Sequence, residues 1–274
     1  MREKWRAFAA AWKLALRIAG LSFRAELEYR ANFVTNVIFG IAWQSATIVF
    51  ATVILSSFPG MGGWSSHQVL LIVGMRTLSH GLYALIFDRN YLLEMLVQDG
   101  RLETFLLRPM RVYRQIQLAV FPTSAIGDLL VGVSIFTWAV SVSGIHWTPT
   151  RIAYLASGVI GGMLMEAAMA TTLASLLLRY PATMAWNAWI EDLAGTFGNY
   201  PLNIFPSPIT SALTFVLPLA FIAYFPAAVL TRHTGGLNVP AAVAVAAPLI
   251  CLGAYVGTRL LWNARLRRYT GVTG

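Results

Sequence analysis

The sequence has few charged residues and a single cysteine. Only 11% of its 274 residues are Asp, Glu, Lys or Arg, whereas a soluble globular domain has about a quarter. Hydrophobic residues make up 57% of the chain, and the mean hydropathy is +0.65. The lone Cys251 lies in an apolar run, so no intramolecular disulfide can form. This composition excludes a small disulfide-stapled secreted fold and is typical of a polytopic membrane protein.

Motifs of nucleotide-binding and hydrolytic sites are also missing. The sequence has no G-x-x-x-x-G-K-[ST] run that could hold the phosphates of a nucleotide, and no HExxH, paired CxxC or GxSxG motif. The histidines at positions 67, 80, 146 and 233 are too scattered for a local metal site, and we interpret each as a surface or packing residue. We therefore expect no catalytic residue, no metal site and no cofactor in this chain.

The positive charge is concentrated in a few segments. The formal net charge is +9, and of the 20 Lys and Arg residues seven precede residue 31, five lie between Arg89 and Arg114, and four lie between Arg259 and Arg268. Basic clusters in alternate loops mark the cytoplasmic side of a membrane protein. We therefore expect a multi-pass protein of the cell inner (cytoplasmic) membrane with both termini cytoplasmic, and a lipid bilayer rather than nucleic acid as its surroundings.

Apolar stretches predict an all-α protein with six transmembrane helices. Five stretches are long enough to cross a hydrocarbon core of about 30 Å. They are residues 33–56, 69–87, 116–142, 152–178 and 239–262. Because both termini are expected on the same side, the number of spans must be even.

The remaining span, fifth in chain order, has two candidates. Residues 183–199 are short and moderately polar, and residues 209–230 contain Pro218 and Pro226. We assign 183–199 as the span and 209–230 as a re-entrant hairpin on the outer side, broken at the two prolines, because irregular backbone is tolerated at membrane depth where protein covers it. In the alternative, 183–208 lies on the inner surface and 209–230 is the span.

An amphipathic helix is expected before the first span. Apolar residues recur at steps of three and four from Trp5 to Leu27, and Lys13, Arg17 and Glu28 lie off that stripe. Such a helix can lie in the membrane interface. We therefore divide the chain into an interfacial helix, residues 1–32, and a transmembrane domain, residues 33–274, that contains a cytoplasmic element at 88–115.

Within that element, a short helix is expected between Gly100 and Pro109. Gly100 can end a preceding helix, and Pro109 disfavours α conformation at the residue before it, which leaves about two helical turns. Leu102, Phe105 and Leu106 would lie on one side of this helix, toward the membrane. Its polar side would consist of Arg101, Glu103 and Thr104. By pattern alone, a solvated loop with surface charges is an equal alternative.

The residues of this segment resemble a known family. Their spacing, G-x-L-x-x-x-L-x-R-P after a second span, is similar to the coupling-helix region of ABC-2-type transporter permeases. The residues that carry the resemblance are Gly100, Leu102, Leu106, Arg108 and Pro109. A proline-aromatic region, including Tyr200-Pro201 and residues 221–227, resembles one subgroup of this family, usually met beside a second, distinct permease.

The resemblance implies the transmembrane subunit of a bacterial exporter of the multidrug or daunorubicin type. In that family the coupling helix contacts the ATPase subunit. The implied partners are ABC ATPase subunits, which would bind ATP and Mg²⁺, and a second permease, with a heterodimer favoured over a homodimer. The implied ATPase-coupling residues are Gly100, Arg101, Leu102, Glu103, Phe105, Leu106, Arg108 and Pro109.

Charged residues inside the predicted spans form a second set of candidates. Such charges are costly and usually face the bundle interior or water. They are Arg76, Asp128, Glu166, Glu191 and Asp192. One hypothesis is a structural ion pair of Arg76 with Glu166 or Asp128, since an unpaired buried charge costs several kcal/mol. The other is a transport pathway, in which the surplus of acidic groups would attract a cationic amphiphile.

Three functions fit these patterns. The favoured one is the permease of an ATP-driven exporter that moves a hydrophobic or amphiphilic substrate. A proton-coupled secondary transporter with Asp128 and Glu166 as relays is the alternative, although no inverted repeat is evident. An integral-membrane enzyme acting on lipids lacks any catalytic constellation. Two GxxxG spacings, at 158–162 and 253–257, favour close helix packing.

The charge distribution generates a test of topology. In a Cys251→Ala background, cysteines introduced near Trp64 and Trp147 should react with a membrane-impermeant thiol reagent in intact cells. A cysteine near Gly100 should react only after permeabilisation. Labelling near Gly100 from outside would contradict the predicted orientation.

Overall fold

The computed structural model describes residues 2–57, 61–180 and 184–269, and this part of the chain is helical with no strand. It therefore confirms the all-α prediction. The helices are α1 (Arg2–Glu28), α2 (Arg30–Ser57), α3 (Ser66–Phe87), α4 (Asn90–Gln98), α5 (Leu102–Leu106), α6 (Val112–Ala119), α7 (Ser124–Val142), α8 (Pro149–Leu177), α9 (Met184–Phe197), α10 (Ser207–Ser211), α11 (Tyr224–Thr231), α12 (Ala241–Val245) and α13 (Ala247–Leu266). Residues 58–60, between the predicted first and second spans, and residue 183, the predicted start of the fifth span, lie outside the described residues.

Within the described residues, three helices are long and apolar enough to cross a membrane: α3, α7 and α8. They correspond to the predicted second, third and fourth spans. The third starts at Ser124 instead of residue 116, because residues 112–119 form the separate helix α6 and Val120 after it is extended. Pro122 prevents α6 and α7 from merging, since it disfavours α conformation at Phe121.

Glycines bring these three helices together. A Cβ added at Gly81 of α3 would lie 3.0 Å from the backbone of Leu129 in α7, and one added at Gly132 of α7 would lie 3.0 Å from the carbonyl of Thr77. On the other side of α3, the Ser79 hydroxyl donates to the carbonyl of Val159 in α8 at 2.9 Å. The two glycine contacts make α7 antiparallel to α3. The helix α8 is parallel to α3, since Gly158 packs on Met75 and Gly162 packs on Ser79.

The bundle has two ends, which we name by their contents. The α5 end carries α4, α5 and α6, and the opposite end carries the loop before α3 and the loop between α7 and α8. The helix α13 runs beside α8 toward the α5 end, since Gly161 packs on Pro248 near the start of α13 and Leu177 shares an apolar cluster with Trp262 near its end. The helix α2 packs beside α7, where Gly40 approaches the carbonyl of Ser124.

Residues 184–203 pass from the α5 half of the bundle to the opposite end, as expected for the fifth span assigned from the sequence. Ala194 packs near Leu173 of α8, and after the helix the chain reaches the opposite end, where the Asn203 amide donates to the carbonyl of Gly62 at 2.8 Å. With 14 residues, α9 is about 21 Å long at 1.5 Å per residue. The irregular residues 198–203 complete the path. This path does not fit the alternative, in which residues 183–208 stay on one surface.

Residues 207–231 form the expected hairpin. It starts and ends at the opposite end, where the His233 ring contacts the carbonyl of Gly63 at 3.2 Å. Its turn reaches the middle of α8, where a Cβ at Gly162 would lie 2.5 Å from the carbonyl of Ile222. Residues 219–223 of the turn are at most 7% exposed. Protein therefore covers the irregular backbone, as the membrane requires.

One detail of this hairpin was predicted wrongly. The backbone leaves helical conformation at Leu217 and again at Ala223, and Pro226 lies inside the first turn of α11. A proline is tolerated there because the first backbone N–H groups of a helix have no intrahelical acceptor. Pro218 is therefore at a break, as expected, and Pro226 is not.

The two GxxxG motifs have different surroundings. Gly158 and Gly162 of α8 face Pro226 and Ile222 of the re-entrant hairpin. By contrast, a Cβ added at Gly253 or at Gly257 of α13 meets no atom within 4 Å among the described residues. Only the first motif supports packing within the chain.

The N-terminal helix is present as α1, with a bend at Tyr29 before α2. The Ser22 hydroxyl donates to the carbonyl of Leu118 at 3.0 Å, and the ring of Phe23 packs edge-on against Phe121 at 4.8 Å. The side chains of Trp5 and the other aromatic residues before residue 13 lie outside the described part. The placement of α1 in the membrane interface, and the 1–32 and 33–274 division, stay predictions.

The glycine contacts generate a stability prediction. Gly162→Ala should lower stability by about 1–3 kcal/mol, because the new methyl group would overlap a backbone carbonyl that cannot move without shifting the buried turn. The measurement is the thermal unfolding midpoint of the purified protein.

Gly253→Ala is the matched control. It makes the same change in the exposed motif and should leave the midpoint equal or slightly higher, because alanine favours helix. Equal midpoints for both variants would contradict the role of Gly162.

Candidate functional site

The turn between α4 and α5 is set by Gly100. Its φ is 66°, a left-handed conformation that favours glycine. The N–H of Gly100 donates to the carbonyl of Val97, and the N–H of Arg101 donates to the carbonyl of Leu96 at 2.8 Å. This pair of bonds is a Schellman motif, which ends α4 and reverses the chain. The predicted helix break at Gly100 is therefore present.

The helix that follows is shorter than expected. It covers Leu102–Leu106 instead of two turns, and its last bond is donated by the N–H of Leu107. The Gln115 amide of α6 donates to the carbonyl of Phe105 at 2.8 Å and also to that of Met110. These bonds fix the loop after α5 against α6.

The predicted apolar face of α5 was partly wrong. Leu102 is fully buried and Phe105 is half-buried, but Leu106 is exposed. The buried side faces other helices of this chain, so α5 does not lie with three apolar residues toward the membrane. Leu106 instead belongs to an exposed edge, in which the guanidinium of Arg108 lies 4.8 Å from the centre of the Phe105 ring. The exposed edge consists of Arg101, Glu103, Thr104, Leu106, Leu107, Arg108 and Pro109.

A separate apolar cluster attaches α5 to the bundle. Its members come from α4, α5 and α6 and from the last turns of α8 and α13. They are Leu93, Leu96, Val97, Leu102, Val112, Tyr113, Ile116, Ala174, Leu177, Leu178 and Trp262. The cluster contains no residue of the main core, so the α5 element is held by its own set of contacts.

Tyr113 joins three helices within this cluster. Its hydroxyl contacts the hydroxyl of Thr171 in α8 at 3.2 Å, and its ring packs edge-on against Trp262 of α13 at 5.6 Å. The guanidinium of Arg259, also in α13, lies 3.4 Å from the ring centre. A displacement of α6 would therefore reach both α8 and α13.

Arg89 is a further link that the sequence did not reveal. It is 4% exposed, and its guanidinium donates to the carbonyls of Ala84 and Leu85 in the last turn of α3 and to that of Val120 before α7. Burial lowers the pKa of Arg89 and raises the pKa of the adjacent Asp88, because both charged forms lose water. The side chain caps α3 and ties it to the start of α7.

A polar cavity of about 400 Å³ lies between α2, α3 and α9. It adjoins a smaller hollow that reaches α8, and Arg76, His80 and Glu191 line both. Asp192 lines the larger part and Glu166 the smaller. The structure thus brings together four of the five charged residues predicted inside the spans.

The fifth, Asp128, lines neither part. It lies on α7 where Gly81 of α3 packs against the backbone of residues 128 and 129. Its side chain is half-buried. Asp128 therefore neighbours the cavity across α3 but does not form its wall.

The predicted ion pair of Arg76 is wrong. Glu166 pairs with His80, whose Nδ1 lies 2.8 Å from Oε2 of the carboxylate. Among the described residues, no ion pair joins Arg76 to Glu166 or Asp128. His80, interpreted from the sequence as a packing residue, is thus part of the site. Its position four residues after Arg76 places both on one face of α3, and this spacing could have revealed it.

Buried polar atoms without hydrogen-bond partners converge on the cavity. Within the described part of the chain, each belongs to a side chain at most 7% exposed. They are Gln44 Nε2, Arg76 Nε, Glu166 Oε1, Asn199 Oδ1 and the Tyr200 hydroxyl. An unsatisfied buried group costs about 1–3 kcal/mol. Unsatisfied groups of this kind are tolerated where polar molecules can enter and bind them. The cavity is therefore suited to hold water or the polar part of a ligand.

Comparison with known proteins gives one positive finding. A family model described as ABC-2 family transporter protein matches residues 41–273. The match includes the cavity and the α5 element, and it begins within α2. No curated protein and no solved structure matches the chain significantly.

The His80–Glu166 pair generates a prediction. His80→Ala should be destabilising because it leaves the buried carboxylate without its partner. When Glu166→Gln is also present, the same change should cost less, with a coupling of about 1–3 kcal/mol in a double-mutant cycle of unfolding free energies. Additive effects would mean that the contact does not stabilise the bundle.

Proposed function

We propose that this chain, which belongs to the ABC-2 family of transporter proteins, is the permease subunit of an ATP-driven exporter in the cytoplasmic membrane. Membership of the family makes it a membrane component of an ABC transporter and implies an ABC ATPase partner. The proposal adds the direction of transport, the kind of substrate and the contact with the ATPase.

The construction of the α5 element is the observation that carries the proposal. One side of α5 is held by Leu102, which is fully buried. The other side presents Leu107, 87% exposed, beside the charged Arg101, Glu103 and Arg108. An exposed leucine surrounded by charges suits a contact with another protein subunit, because apolar anchors with a charged rim are common at interfaces. The partner would be the ATPase, which would bind ATP and Mg²⁺.

Motion would pass from α5 through its own apolar cluster. Because Tyr113 contacts both α8 and α13, a rotation of α4–α6 imposed by the ATPase would displace the ends of two spans together. The hydrogen bonds of Arg89 to the end of α3 and to the residue Val120 before α7 would carry the same motion to those two helices. Of these helices, α3 lines the polar cavity and α8 lines its smaller part, so the proposed ATP-driven step would change the shape of the cavity.

The cavity supports an amphiphilic substrate. Its wall combines the carboxylates of Glu166, Glu191 and Asp192 with Arg76 and the aromatic ring of Trp43. The acidic groups outnumber the arginine, so a substrate with a positively charged polar part and an apolar body would fit best. Such a molecule would enter from the inner leaflet and leave on the outer side.

A second permease is part of the proposal. The proline-aromatic region resembles a subgroup that is usually met beside a distinct permease, so a heterodimer is favoured over a homodimer. The proposal also places both termini on the cytoplasmic side. A proton-coupled transporter or a lipid-modifying enzyme has no support from the family match.

Affinity purification of the tagged chain from its native membrane tests the proposal directly. We expect an ATPase subunit and a second permease to co-purify, and ATP hydrolysis by the reconstituted complex to rise with substrate. Recovery of the chain with no ATPase, under conditions that keep membrane complexes intact, would contradict the proposal.

The exposed edge of α5 gives a sharper prediction. Leu107→Asp should reduce co-purification of the ATPase about tenfold, because it places a charge in the proposed contact. Since the side chain is 87% exposed, the free energy of unfolding should change by no more than about 0.5 kcal/mol, as for other surface substitutions.

Leu102→Ala is the contrasting variant on the same helix. It removes a fully buried side chain and should cost about 2–5 kcal/mol of stability. If the Leu107→Asp variant is expressed normally and co-purifies as much ATPase as the wild type does, this edge is not the contact.

A further inference from the structure

A groove of about 330 Å³ lies at the α5 end, between the start of α6 and the last turns of α13. It is separate from the polar cavity and from the exposed edge of α5. Three arginines line it: Arg111, Arg259 and Arg267. Asn263 adds an amide, and no Asp or Glu belongs to the lining among the described residues. The groove is therefore strongly positive on both walls.

Arg259 is the least solvated of the three arginines. Its guanidinium lies 3.4 Å from the centre of the Tyr113 ring, which fixes its position. Its Nη1 atom is buried and has no hydrogen-bond partner among the described residues. A buried guanidinium donor without an acceptor is costly. Arg259, which lines the groove, thus has one donor for which this part of the chain supplies no acceptor.

The start of α6 adds backbone donors to the same groove. Arg111 is the N-cap residue, and its side chain makes no capping hydrogen bond. The first intrahelical bond is donated by the N–H of Gln115, so the N–H groups of residues 112–114 have no intrahelical acceptor. Open N–H groups and the positive end of the helix dipole favour an anion. Val112 and Tyr113 of this first turn line the groove.

We propose that this groove binds a phosphate group, and that an anionic phospholipid headgroup supplies it. Arginine guanidinium groups match the geometry of phosphate oxygens, and the helix N-terminus adds further donors. The groove lies where the apolar run of α13 gives way to Arg265–Arg268, which is the depth at which headgroups lie. A bound phosphate would join α6 to α13 and so stiffen the link between the α5 element and the bundle.

Nonspecific attraction between basic residues and anionic lipid would also favour phosphatidylglycerol, and the chain offers a control that separates it from binding in the groove. Arg267 lines the groove, whereas the adjacent Arg268 does not. Both are exposed, as is Arg111, so replacing any of them should leave the fold intact. The variants Arg267→Gln and Arg268→Gln remove the same charge at neighbouring positions.

The experiment uses the full chain in detergent and measures lipid binding by native mass spectrometry and by the shift in thermal unfolding midpoint. The probes are phosphatidylglycerol, phosphatidylcholine, glycerol 3-phosphate and inorganic phosphate. We expect phosphatidylglycerol to bind and raise the midpoint, and phosphatidylcholine to have little effect. The double variant Arg111→Gln with Arg267→Gln should bind phosphatidylglycerol roughly tenfold or more weakly, and Arg268→Gln should bind it as the wild type does.

The remaining outcomes decide the source of the phosphate. Stabilisation by phosphatidylglycerol alone would assign the groove to a lipid headgroup. Equal stabilisation by glycerol 3-phosphate or inorganic phosphate, lost in the double variant, would keep the phosphate site but assign it to a soluble phosphate. Equal binding of phosphatidylglycerol and phosphatidylcholine, or an equal loss in Arg268→Gln and in the double variant, would overturn the proposal.

Discussion

The close contact between α8 and the turn of the re-entrant hairpin is the constraint on which the rest of the bundle depends. A lipid bilayer offers no hydrogen-bond partners, so a non-helical turn can reach its middle only under cover of protein. Gly158 and Gly162 let α8 approach the backbone of the turn, and the residues of the turn are almost completely buried. With this space filled, α3, α8 and α13 are held around one core, and the polar cavity is left to the side, between α2, α3 and α9.

The apolar contacts are divided between two places. The main core lies among the spans and the hairpin, and the second cluster lies at the α5 end, where it includes Leu102, Tyr113 and Trp262. Because this second cluster also contains the ends of α8 and α13, a movement of the α5 element would displace those helices. Such a movement would reach α8 through the contact of Tyr113 with Thr171, and α3 through the hydrogen bond of Arg89 to the carbonyl of Ala84.

Much of this arrangement could be predicted from the sequence. Apolar run lengths predict the second, third and fourth spans, and the turn at Gly100 follows from a residue type that tolerates positive φ. The exposure of Leu106 could not be predicted, because the face that a short helix buries depends on the helices beside it. The pairing of Glu166 with His80 was missed for a similar reason. It joins residues 86 positions apart and depends on how α3 and α8 are rotated about their axes.

The length of α9 has a consequence for the surrounding lipid. With 14 helical residues, it spans about two thirds of a hydrocarbon core of roughly 30 Å. Its flank carries the exposed Trp186 and Trp189, and tryptophan prefers the boundary between headgroups and acyl chains. The irregular residues 198–203 complete the path, so beside α9 the backbone is helical over only part of the membrane depth. Lipid chains can pack against the helical part, whereas the polar backbone after Phe197 requires cover by protein or water, which the cavity lined by Asn199 and Tyr200 provides.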